Sequence, residues 1–455
     1  MTSATLDARA VNARTERLPY CSWHTKMRLI ICTAWFFDAF DSLAIAYVLP
    51  VLIGAWKLAP AQIGTLIATG FAGQLIGSIA AGWAAERWGR VPTMIVTLAL
   101  FTVMSFVCAF AWSYESLLWF RLIQGIGLGG EVPIMAAYVN EFAKAERRGR
   151  FSLSIQLLFA VGLVVVALVG AWVVPHFGWQ WMFIIGAVPA LLVFPMRFLL
   201  PESPRWLAAR GRFAEADEAL RRIEAIAERE GKVLPPIPAN LPPVVAEKTR
   251  FADLFRGIYL KRTLTLWALW VFAYLVVYGL ATWAPSLFRT AYKLPVQQAL
   301  QYGLILAVAG LAGVVLCLLL IDRLGRRVVF TGAFLLASVP LLFFATGSAR
   351  SAQEVLAIVA TGFIFINMLA VGLATYTAEN YPNQLRALGG GVGAAWQRGA
   401  SMVGPFLVGL VLPKYGPDAV FVMFGVFALI GAVICAVFAI ETRGRVLEEL
   451  APARG

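Results

Sequence analysis

Long apolar runs separated by short polar connections make up most of this sequence. A helix needs about 20 apolar residues to cross the roughly 30 Å hydrocarbon core of a bilayer. The runs have this length, and they recur from residue 28 to residue 440. The pattern predicts twelve transmembrane helices, at about 28–53, 62–84, 91–111, 117–139, 153–175, 180–200, 263–285, 301–321, 328–346, 354–377, 389–412 and 418–440.

The composition supports an all-α membrane protein. Hydrophobic residues make up 60% of the 455 positions and charged residues only 14%. A soluble domain of this length needs more charge to cover its surface. The first apolar run carries two aspartates and lacks a small-residue cleavage site, so it is interpreted as a helix and not as a cleaved signal.

The basic residues indicate the orientation in the membrane. The net charge is +13, but the connections on the side away from the termini hold only five of the 38 Lys and Arg residues. Because basic connections are retained in the cytoplasm, both termini are predicted to be cytoplasmic, in a cell inner membrane. The charge therefore reflects topology and attraction to anionic lipid, and no nucleic-acid partner is expected.

Two patterns occur twice at nearly the same spacing. Residues 86–90 (Glu-Arg-Trp-Gly-Arg) correspond to residues 322–326 (Asp-Arg-Leu-Gly-Arg), 236 positions later. Tyr138 with a glutamate three residues on corresponds to Tyr376 in the same context, 238 positions later. Two related halves in the same orientation are how a transporter builds a central site that opens to either side.

The repeat divides the chain into two membrane halves and three polar segments. The tail is expected to be poorly ordered, and the linker to contain a helix over 212–229 that either latches the halves together or is a solvated connection. The predicted segments are a cytoplasmic tail at 1–27, six-helix halves at 28–200 and 263–440, a cytoplasmic linker at 201–262 and a second tail at 441–455.

Several classes of function lack the residues that they need. The five cysteines are scattered and only two histidines occur, so neither a metal cluster nor His-based catalysis is expected. No phosphate-binding Gly-x-x-x-x-Gly-Lys-Ser/Thr run appears, which argues against a primary pump. The protein is expected to be neither an enzyme nor cofactor-dependent. A sensor derived from a transporter is not excluded, although it would usually need an added signalling domain.

Motifs spread over nearly the whole chain resemble the major facilitator superfamily. They are the doubled acidic-Arg-x-Gly-Arg loop, Arg121 followed by Gly125 and Gly127, 201–207 (Pro-Glu-Ser-Pro-Arg-Trp-Leu), and 441–444 (Glu-Thr-Arg-Gly). The stretch 38–41 (Asp-Ala-Phe-Asp) resembles a paired-aspartate motif of bacterial aromatic-acid and nicotinate transporters. The resemblance implies a twelve-helix carrier in two pseudo-symmetric halves, coupled to protons and functional as a monomer. Glu86 and Val91 depart from the usual loop pattern.

Charges at the cytoplasmic mouth are predicted to form a gate. Acids and bases at helix ends can bridge the halves and bias one facing state by a few kcal/mol. Simple anchoring of basic residues would explain the arginines but not the doubled acid-base arrangement. The predicted gate residues are Glu86, Arg90, Glu141 and Arg148 in the first half, and Asp322, Arg326, Glu379 and Arg386 in the second.

Ionisable residues within predicted spans are costly and are therefore functional candidates. At 1.5 Å per residue, Asp41 and Arg121 both lie about 21–22 Å from the cytoplasmic edge, which predicts an acid-base pair. Related sugar:proton symporters, which the chain resembles, use such a pair for proton coupling, so Asp41 is the leading proton carrier. A static ion pair remains the alternative. Asp38, one turn away, and Glu131 are further proton-coupling candidates, with hydrogen bonding and a structural kink as their alternatives.

Arg398 is predicted to bind the substrate. It lies near the midplane of the eleventh helix, and no Asp or Glu occurs between Glu379 and Asp418 to neutralise it there. A free guanidinium suits a carboxylate because its fork can bond both oxygens. Organic anion transporters, which the chain resembles, also use a basic residue in this helix. The alternative is a salt bridge to Asp38 or Glu131.

An aromatic stripe and three amides complete the candidate site. Trp267, Trp270, Tyr274 and Tyr278 are spaced to lie on one face of the seventh helix, where they suit a flat ring or simply pack against other helices. Mid-span amides could orient a substrate or hold helices together. These amides are Gln156, Asn367 and Gln74.

The leading hypothesis is proton-coupled uptake of a small aromatic carboxylate, with nicotinate first and benzoate-type acids next. The alternatives are an organic cation or other metabolite porter of the same fold, or an exporter of a similar anion. Arg398 argues against cations. Sugars are disfavoured because 272–275 (Phe-Ala-Tyr-Leu) lacks the Gln-Gln pair of sugar porters.

Overall fold

The computed structural model is helical throughout the membrane segments. It describes residues 8–142, 148–237, 250–347 and 351–444, with the side chains of 148–156 and 383 excepted. The predicted gate residue Arg148 and the predicted ligand Gln156 have side chains outside this description.

The first half contains the tail helix and the segments of the first six spans. Short helices and a central helix then follow in the linker. The helices are α1 (Ala8–Arg17), α2 (Ser22–Trp56), α3 (Pro60–Trp88), α4 (Arg90–Cys108), α5 (Tyr114–Phe142), α6 (Arg148–Phe177), α7 (Gln180–Gly186), α8 (Val193–Leu199), α9 (Pro204–Ala209) and α10 (Phe213–Arg229), with a 3₁₀ turn at Val188–Leu192.

The second half repeats the arrangement with fewer breaks. A 3₁₀ turn at Phe251–Phe255 leads into it, and another at Phe343–Thr346 ends its third span. The helices are α11 (Ile258–Thr290), α12 (Val296–Leu324), α13 (Arg326–Leu342), α14 (Ala352–Asn380) and α15 (Asn383–Phe438).

The described chain crosses the membrane twelve times. Eleven of its segments are long and apolar enough to span, and the last, Gln384–Phe438, has 55 residues and makes two crossings. Gly416 separates these crossings because its φ of 79° and ψ of 178° are not helical, and a positive φ costs glycine little. The sixth span, Gln180–Leu199, is broken into α7, a 3₁₀ turn and α8, with Pro189 at the start of the turn.

Close helix contacts in the first half depend on small residues. Gly125 and Gly129 of α5 lie against the backbone of α3 at Gly70 and Gln74, so closely that a Cβ on either glycine would overlap the α3 backbone. Small residues let helix backbones approach within a membrane. The glycines of α5 therefore form a helix-packing surface that positions Arg121 and Glu131 of the same helix.

The described part of the amino-terminal tail differs from its prediction. Residues 8–17 form α1, which packs against the linker helix α10 instead of remaining poorly ordered. Arg14 forms ion pairs of 2.5 Å with Asp217 and 2.6 Å with Glu224. The pKa of Glu224 lies below its ordinary value: burial raises it, but hydrogen bonds from Arg14 and Arg17 outweigh burial. Partnered charges let this basic segment pack, which its composition did not reveal.

The linker helix contacts the first half only, as far as the described contacts go. Leu220 and Ile223 of α10 are buried in one apolar cluster with residues of α1, α2, α4 and α5. No residue of α11–α15 belongs to that cluster. In this conformation α10 is therefore neither a solvated connection nor a latch between the halves.

Candidate functional site

A central cavity of about 310 Å³ lies between the two halves. Helices α2, α3, α5 and α6 of the first half and α11, α12, α14 and α15 of the second supply its walls. A site at the interface of two related halves is what alternating access requires.

Three stacked aromatic rings of α11 form one wall of the cavity. Trp270 and Tyr274 have ring centroids 5.3 Å apart, and Tyr274 and Tyr278 have centroids 5.9 Å apart, with interplanar angles of 15° and 20°. The polar atoms of two rings are engaged: Trp270 Nε1 donates to Thr377 Oγ1 and the Tyr274 hydroxyl donates to the carbonyl of Ala370. The ring faces are thereby fixed in orientation.

Trp267, the fourth member of the predicted stripe, lies elsewhere. Its ring contacts Phe251, Phe255 and Trp396, and it is not among the residues that line the cavity. The helical spacing correctly predicted that Trp270, Tyr274 and Tyr278 share one face, and these three line the cavity, whereas Trp267 packs outside it.

Arg398 lines the cavity and has no acidic partner in direct contact. Its described hydrogen bond runs from Nη2 to the carbonyl of Gly129, at 3.4 Å, and its Nε has no partner. Among the described residues, no carboxylate oxygen lies within 4.0 Å of its guanidinium. The predicted alternative, a salt bridge to Asp38 or Glu131, is therefore absent from the described part of the chain.

Asp38 and Asp41 of α2 occupy different environments. Asp38 lines the cavity with 6% of its surface exposed, whereas Asp41 has no exposed surface and does not line it. The carboxylate of Asp41 accepts a hydrogen bond of 2.9 Å from Ser105 Oγ and touches the position where a Cβ on Gly186 would lie. Asp38 is thus the aspartate in contact with the cavity.

The expected ion pair between Asp41 and Arg121 is not formed. Arg121 Nη1 donates 2.7 Å to Gln124 Oε1 and 3.4 Å to the main-chain carbonyl of Asp41, while Asp41 Oδ2 has no partner. Depth along the helices correctly predicted that the two residues are close. It could not predict that Ser105 and Gln124 would take the contacts of the two charged groups.

Glu131 is a buried acid without a hydrogen-bond partner among the described residues. Only 1% of its surface is exposed, and neither carboxylate oxygen has a hydrogen-bond partner in the described structure. Burial of an unpaired carboxylate in a membrane is expensive, so Glu131 remains a candidate for a functional role.

Amides line the cavity as well. Asn367 is one of them, with its Nδ2 bonded to the carbonyl of Phe363, and Gln74 is another, with its Nε2 3.3 Å from Ser42 Oγ. Gln397 also lines the cavity and was missed by the sequence analysis. The signal was available, because Ala394, Gln397 and Ser401 lie on the face of α15 that carries Arg398.

The halves meet closely at the end of the bundle opposite the chain termini. A Cβ on Gly64 of α3 would lie 3.0 Å from the carbonyl of Pro405 and 3.2 Å from Gly409 Cα of α15. The Tyr47 hydroxyl of α2 donates to the carbonyl of Gly303 of α12 at 3.3 Å. These contacts close the cavity from that side.

At the end that carries the termini, the described gate charges pair within each half. Arg90 contacts Glu86 at 2.8 Å and Glu141 at 3.2 Å. In the second half, Arg326 contacts Asp322 at 3.0 Å and Glu379 at 2.9 Å, and Arg386 Nε donates to the carbonyl of Ala378. The expectation that these charges bridge the halves is not met in this conformation, because Arg90 and Arg326 each contact acids of their own half.

The sequence repeat is also a repeat of hydrogen bonds. Tyr138 donates to the carbonyl of Pro201 at 2.7 Å, and Tyr376 donates to the carbonyl of Ile440 at 2.8 Å. Glu202 then accepts from the backbone N–H groups of Arg90 and Val91 at the start of α4. Glu441 does the same for Arg326 and Arg327 at the start of α13. An acid is favourable at a helix amino terminus.

Comparison with known proteins agrees with this geometry. The family described as sugar (and other) transporter matches residues 38–453. The chain is 35% identical over 448 residues to the niacin transporter NiaP of Acinetobacter baylyi, covering 96% of this chain and 99% of that one. It is 24% identical over 402 residues to the 4-hydroxybenzoate transporter PcaK of the same species, covering 88% and 86%.

Solved structures share the fold. A D-xylose-proton symporter superposes with a TM-score of 0.72 at 19% identity, covering 93% of this chain and 99% of that one. An inward-open structure of the xylose transporter XylE from E. coli gives a TM-score of 0.71 at 19% identity, covering 94% and 99%. The chain therefore belongs to the sugar (and other) transporter family, its fold is the one expected of the major facilitator superfamily, and its family and these relatives are transporters rather than enzymes.

Proposed function

We propose that this protein is a proton-coupled uptake transporter for a small aromatic carboxylate, with nicotinate as the first candidate and benzoate-type acids as the next. The observation that carries the proposal is the Arg398 guanidinium, which faces the cavity without a carboxylate in contact among the described residues. A desolvated guanidinium gains most from an ionised partner, and a carboxylate matches its planar fork.

The aromatic wall supplies the second half of the recognition. Tyr278 and Arg398 line the same cavity, and the Tyr274 and Trp270 rings extend the surface from Tyr278. A flat ring can stack on such a surface while its carboxylate reaches the guanidinium. A molecule of one ring and one carboxylate satisfies both features.

The names of two relatives describe molecules of this class. Niacin and 4-hydroxybenzoate each contain a six-membered aromatic ring and a carboxylate. The cargo named for these two relatives is therefore of the class that we propose for the cavity described above.

Transport would proceed by alternating access in the cell inner membrane, with both termini cytoplasmic and the monomer as the working unit. In this conformation the halves are closed at the end opposite the termini, which is the periplasmic end in the proposed orientation. The gate charges would exchange their partners within each half for partners across the halves when the cytoplasmic end closes. The proton would be the coupling ion, and no cofactor is required.

The direct test is uptake into proteoliposomes. Labelled nicotinate should accumulate against its gradient when the outside is made acidic, and unlabelled benzoate should compete. The variant Arg398→Ala should bind and accumulate neither, while Arg398→Lys, which keeps the charge but loses the fork, should bind weakly.

A matched control is Arg221→Ala, which removes an arginine whose side chain is 75% exposed on α10. This variant should transport normally. Undiminished carboxylate affinity in folded Arg398→Ala protein would overturn the proposal.

A second candidate function is transport of an organic cation. Asp38 lines the same cavity and could hold an amine. Arg398 would repel such a substrate. Thermal stabilisation of the purified protein by amines, but not by aromatic acids, would favour this second function.

Counterflow with substrate loaded on either side would show whether import or export of the anion predominates.

A further inference from the structure

We propose that the cavity has an apolar subsite next to its closed end, where an alkyl group on the ring of the substrate binds. Its lining residues are Ala281 and Ala284 of α11 and Gly303, Leu306 and Ala307 of α12. The ligand class that it favours is an aromatic carboxylate with a short alkyl group opposite the carboxylate. This inference rests on the proposed function and adds a preference among its substrates. Niacin and 4-hydroxybenzoate, the cargo named for two relatives, carry no such group.

The cavity extends well beyond the groups assigned to the ring and the carboxylate. On α11 its lining continues past Tyr278 to Ala284, which at 1.5 Å per helical residue lies about 9 Å closer to the closed end. On α2 the lining continues from Asp38 to Tyr47, about 14 Å by the same rise. A single ring with one carboxylate, placed on Arg398 and the aromatic wall, leaves this end of the cavity free.

The chemistry of the lining changes along the cavity. The part around the proposed carboxylate and ring carries polar side chains, among them Asp38, Asn367 and Thr377. The five residues of the apolar subsite carry no polar side-chain atom, and four of them are alanine or glycine. An apolar space of this kind is a poor site for water, which needs polar partners, and a good site for a hydrocarbon group.

Tyr47 closes the apolar subsite at its far end. Its side chain is 1% exposed, and its hydroxyl donates to the carbonyl of Gly303 at 3.3 Å, so its polar atom is engaged. A Cβ on Gly303 would lie 2.8 Å from Pro285 Cγ and 3.1 Å from Tyr47 Cε1, which is why the halves can meet here only at a glycine. The subsite therefore has a fixed end, and it accepts a group of limited length.

Burial of hydrocarbon supplies the preference. Each methylene group that a ligand moves from water into an apolar site tightens binding by about threefold to fourfold. A hydroxyl group in the same place would lose its hydration without gaining a partner, because the lining offers none. The subsite should therefore distinguish an alkyl group from a polar group of equal length.

The test is calorimetric titration of the purified full-length protein in lipid nanodiscs. One pair of ligands is benzoate and 4-propylbenzoate, and the other is nicotinate and 6-propylnicotinate, in which the propyl group again lies opposite the carboxylate. In each pair that binds, the propyl ligand is expected to bind about 30-fold more tightly, from three methylene-sized groups. The ligand 4-(2-hydroxyethyl)benzoate, with a chain of equal length, is expected to bind no more tightly than benzoate.

Two variants fill the apolar subsite from different helices. Ala281→Leu and Ala307→Leu each place a larger side chain in the space for the propyl group, and neither alters Arg398 or a ring of the aromatic wall. In both, the ratio of the Kd of benzoate to that of 4-propylbenzoate should fall from about 30 towards one. Melting temperatures show which variants are folded.

A matched control makes the same substitution outside the cavity. Ala80 is exposed on α3 and is not among the residues that line the cavity. Ala80→Leu should keep the full ratio of the wild type. The control also detects propyl ligands that simply partition into the lipid, because such partitioning does not respond to the substitutions in the subsite.

The outcomes separate the two proposals. If the wild-type protein binds neither nicotinate nor benzoate, the proposed function itself fails. If it binds either acid but the propyl ligand binds no more tightly, or if the hydroxyethyl ligand shows the same gain, the function stands and the apolar subsite is overturned. A full ratio in the folded Ala281→Leu and Ala307→Leu proteins, or a ratio lost equally in Ala80→Leu, would also overturn it.

Discussion

The two halves of this transporter share a backbone plan but divide the chemistry of the cavity between them. The first half contributes Asp38 and the buried groups behind it, and the second contributes Arg398 and the aromatic wall. The hydrogen bonds of Tyr138 and Tyr376 repeat almost identically at the terminal end. The two halves are therefore alike at the terminal end and different around the cavity.

The largest expected effect comes from removing the cation of the second half. Arg398→Ala deletes the guanidinium and should weaken nicotinate binding by at least about 30-fold, since removing one partner of a buried charge pair costs about 2–5 kcal/mol. Equilibrium binding to purified protein measures the loss. Arg121→Ala lies in the first half and should affect folding stability before affinity, because Arg121 is buried against Gln124 and Asp41. Equal losses of nicotinate affinity in both variants, at equal folding stability, would contradict the proposal that the two halves supply different chemistry to the cavity.

A smaller effect is expected from the aromatic wall. Tyr278→Leu removes a ring at the end of the stack and should weaken nicotinate binding by about tenfold, because an aromatic stacking contact is worth about 0.5–1.5 kcal/mol beyond burial. Tyr278→Phe keeps the ring and should stay near wild type. The same binding assay, repeated with cyclohexanecarboxylate, should show a smaller difference between Tyr278→Leu and wild type. An unchanged affinity for nicotinate in Tyr278→Leu would show that the wall is only helix packing.

A still smaller effect is expected at Glu131. If this acid is protonated throughout the cycle, Glu131→Gln replaces a neutral group by a neutral group and should change nicotinate affinity by less than about threefold. Glu131→Lys, in contrast, should prevent folding. A large change in the proton count of Glu131→Gln would place coupling at this residue instead.

The smallest effect distinguishes the two corresponding helix caps, Glu202 in the first half and Glu441 in the second. Burial raises the pKa of Glu202 despite hydrogen bonds from three backbone N–H groups. Burial also acts on Glu441, but four backbone N–H groups outweigh it and lower the pKa below its ordinary value of 4.5. A lowered folded-state pKa means that ionised Glu441 stabilises the fold at pH values above its unfolded-state pKa. This stabilisation is lost as pH falls through the lowered folded-state pKa.

For Glu202 the sign is reversed, because folding favours its protonated form and the ionised form costs stability as pH rises through the raised pKa. Melting temperatures should therefore fall further in Glu441→Gln than in Glu202→Gln at pH 7, with the gap narrowing towards pH 4. Equal shifts at both pH values would show that the two caps are equivalent.

The spans and the mid-membrane charges could be predicted from the sequence because both follow from free-energy costs that depend on residue type alone. Burying Asp38, Asp41, Arg121, Glu131 or Arg398 is expensive, so each stood out in its apolar run. The aromatic spacing of α11 likewise follows from helix geometry, and it placed Trp270, Tyr274 and Tyr278 together.

Other features depend on tertiary contacts that have no local signal. The Ser105 hydroxyl that holds Asp41 and the Gln124 amide that holds Arg121 lie in distant or unremarkable positions. Docking of α1 depends on acids of α10 some 200 residues away. Asp38 and Asp41 differ in what their side chains face, and this difference cannot be predicted without the positions of the neighbouring helices.

The most direct test is a structure of the protein with nicotinate bound. The account predicts the nicotinate carboxylate about 3 Å from the Arg398 guanidinium, the ring against Tyr274 and Tyr278, and Asp38 outside contact with that arginine. A ligand bound away from Arg398, with Asp38 and Arg398 joined in a direct ion pair, would contradict it.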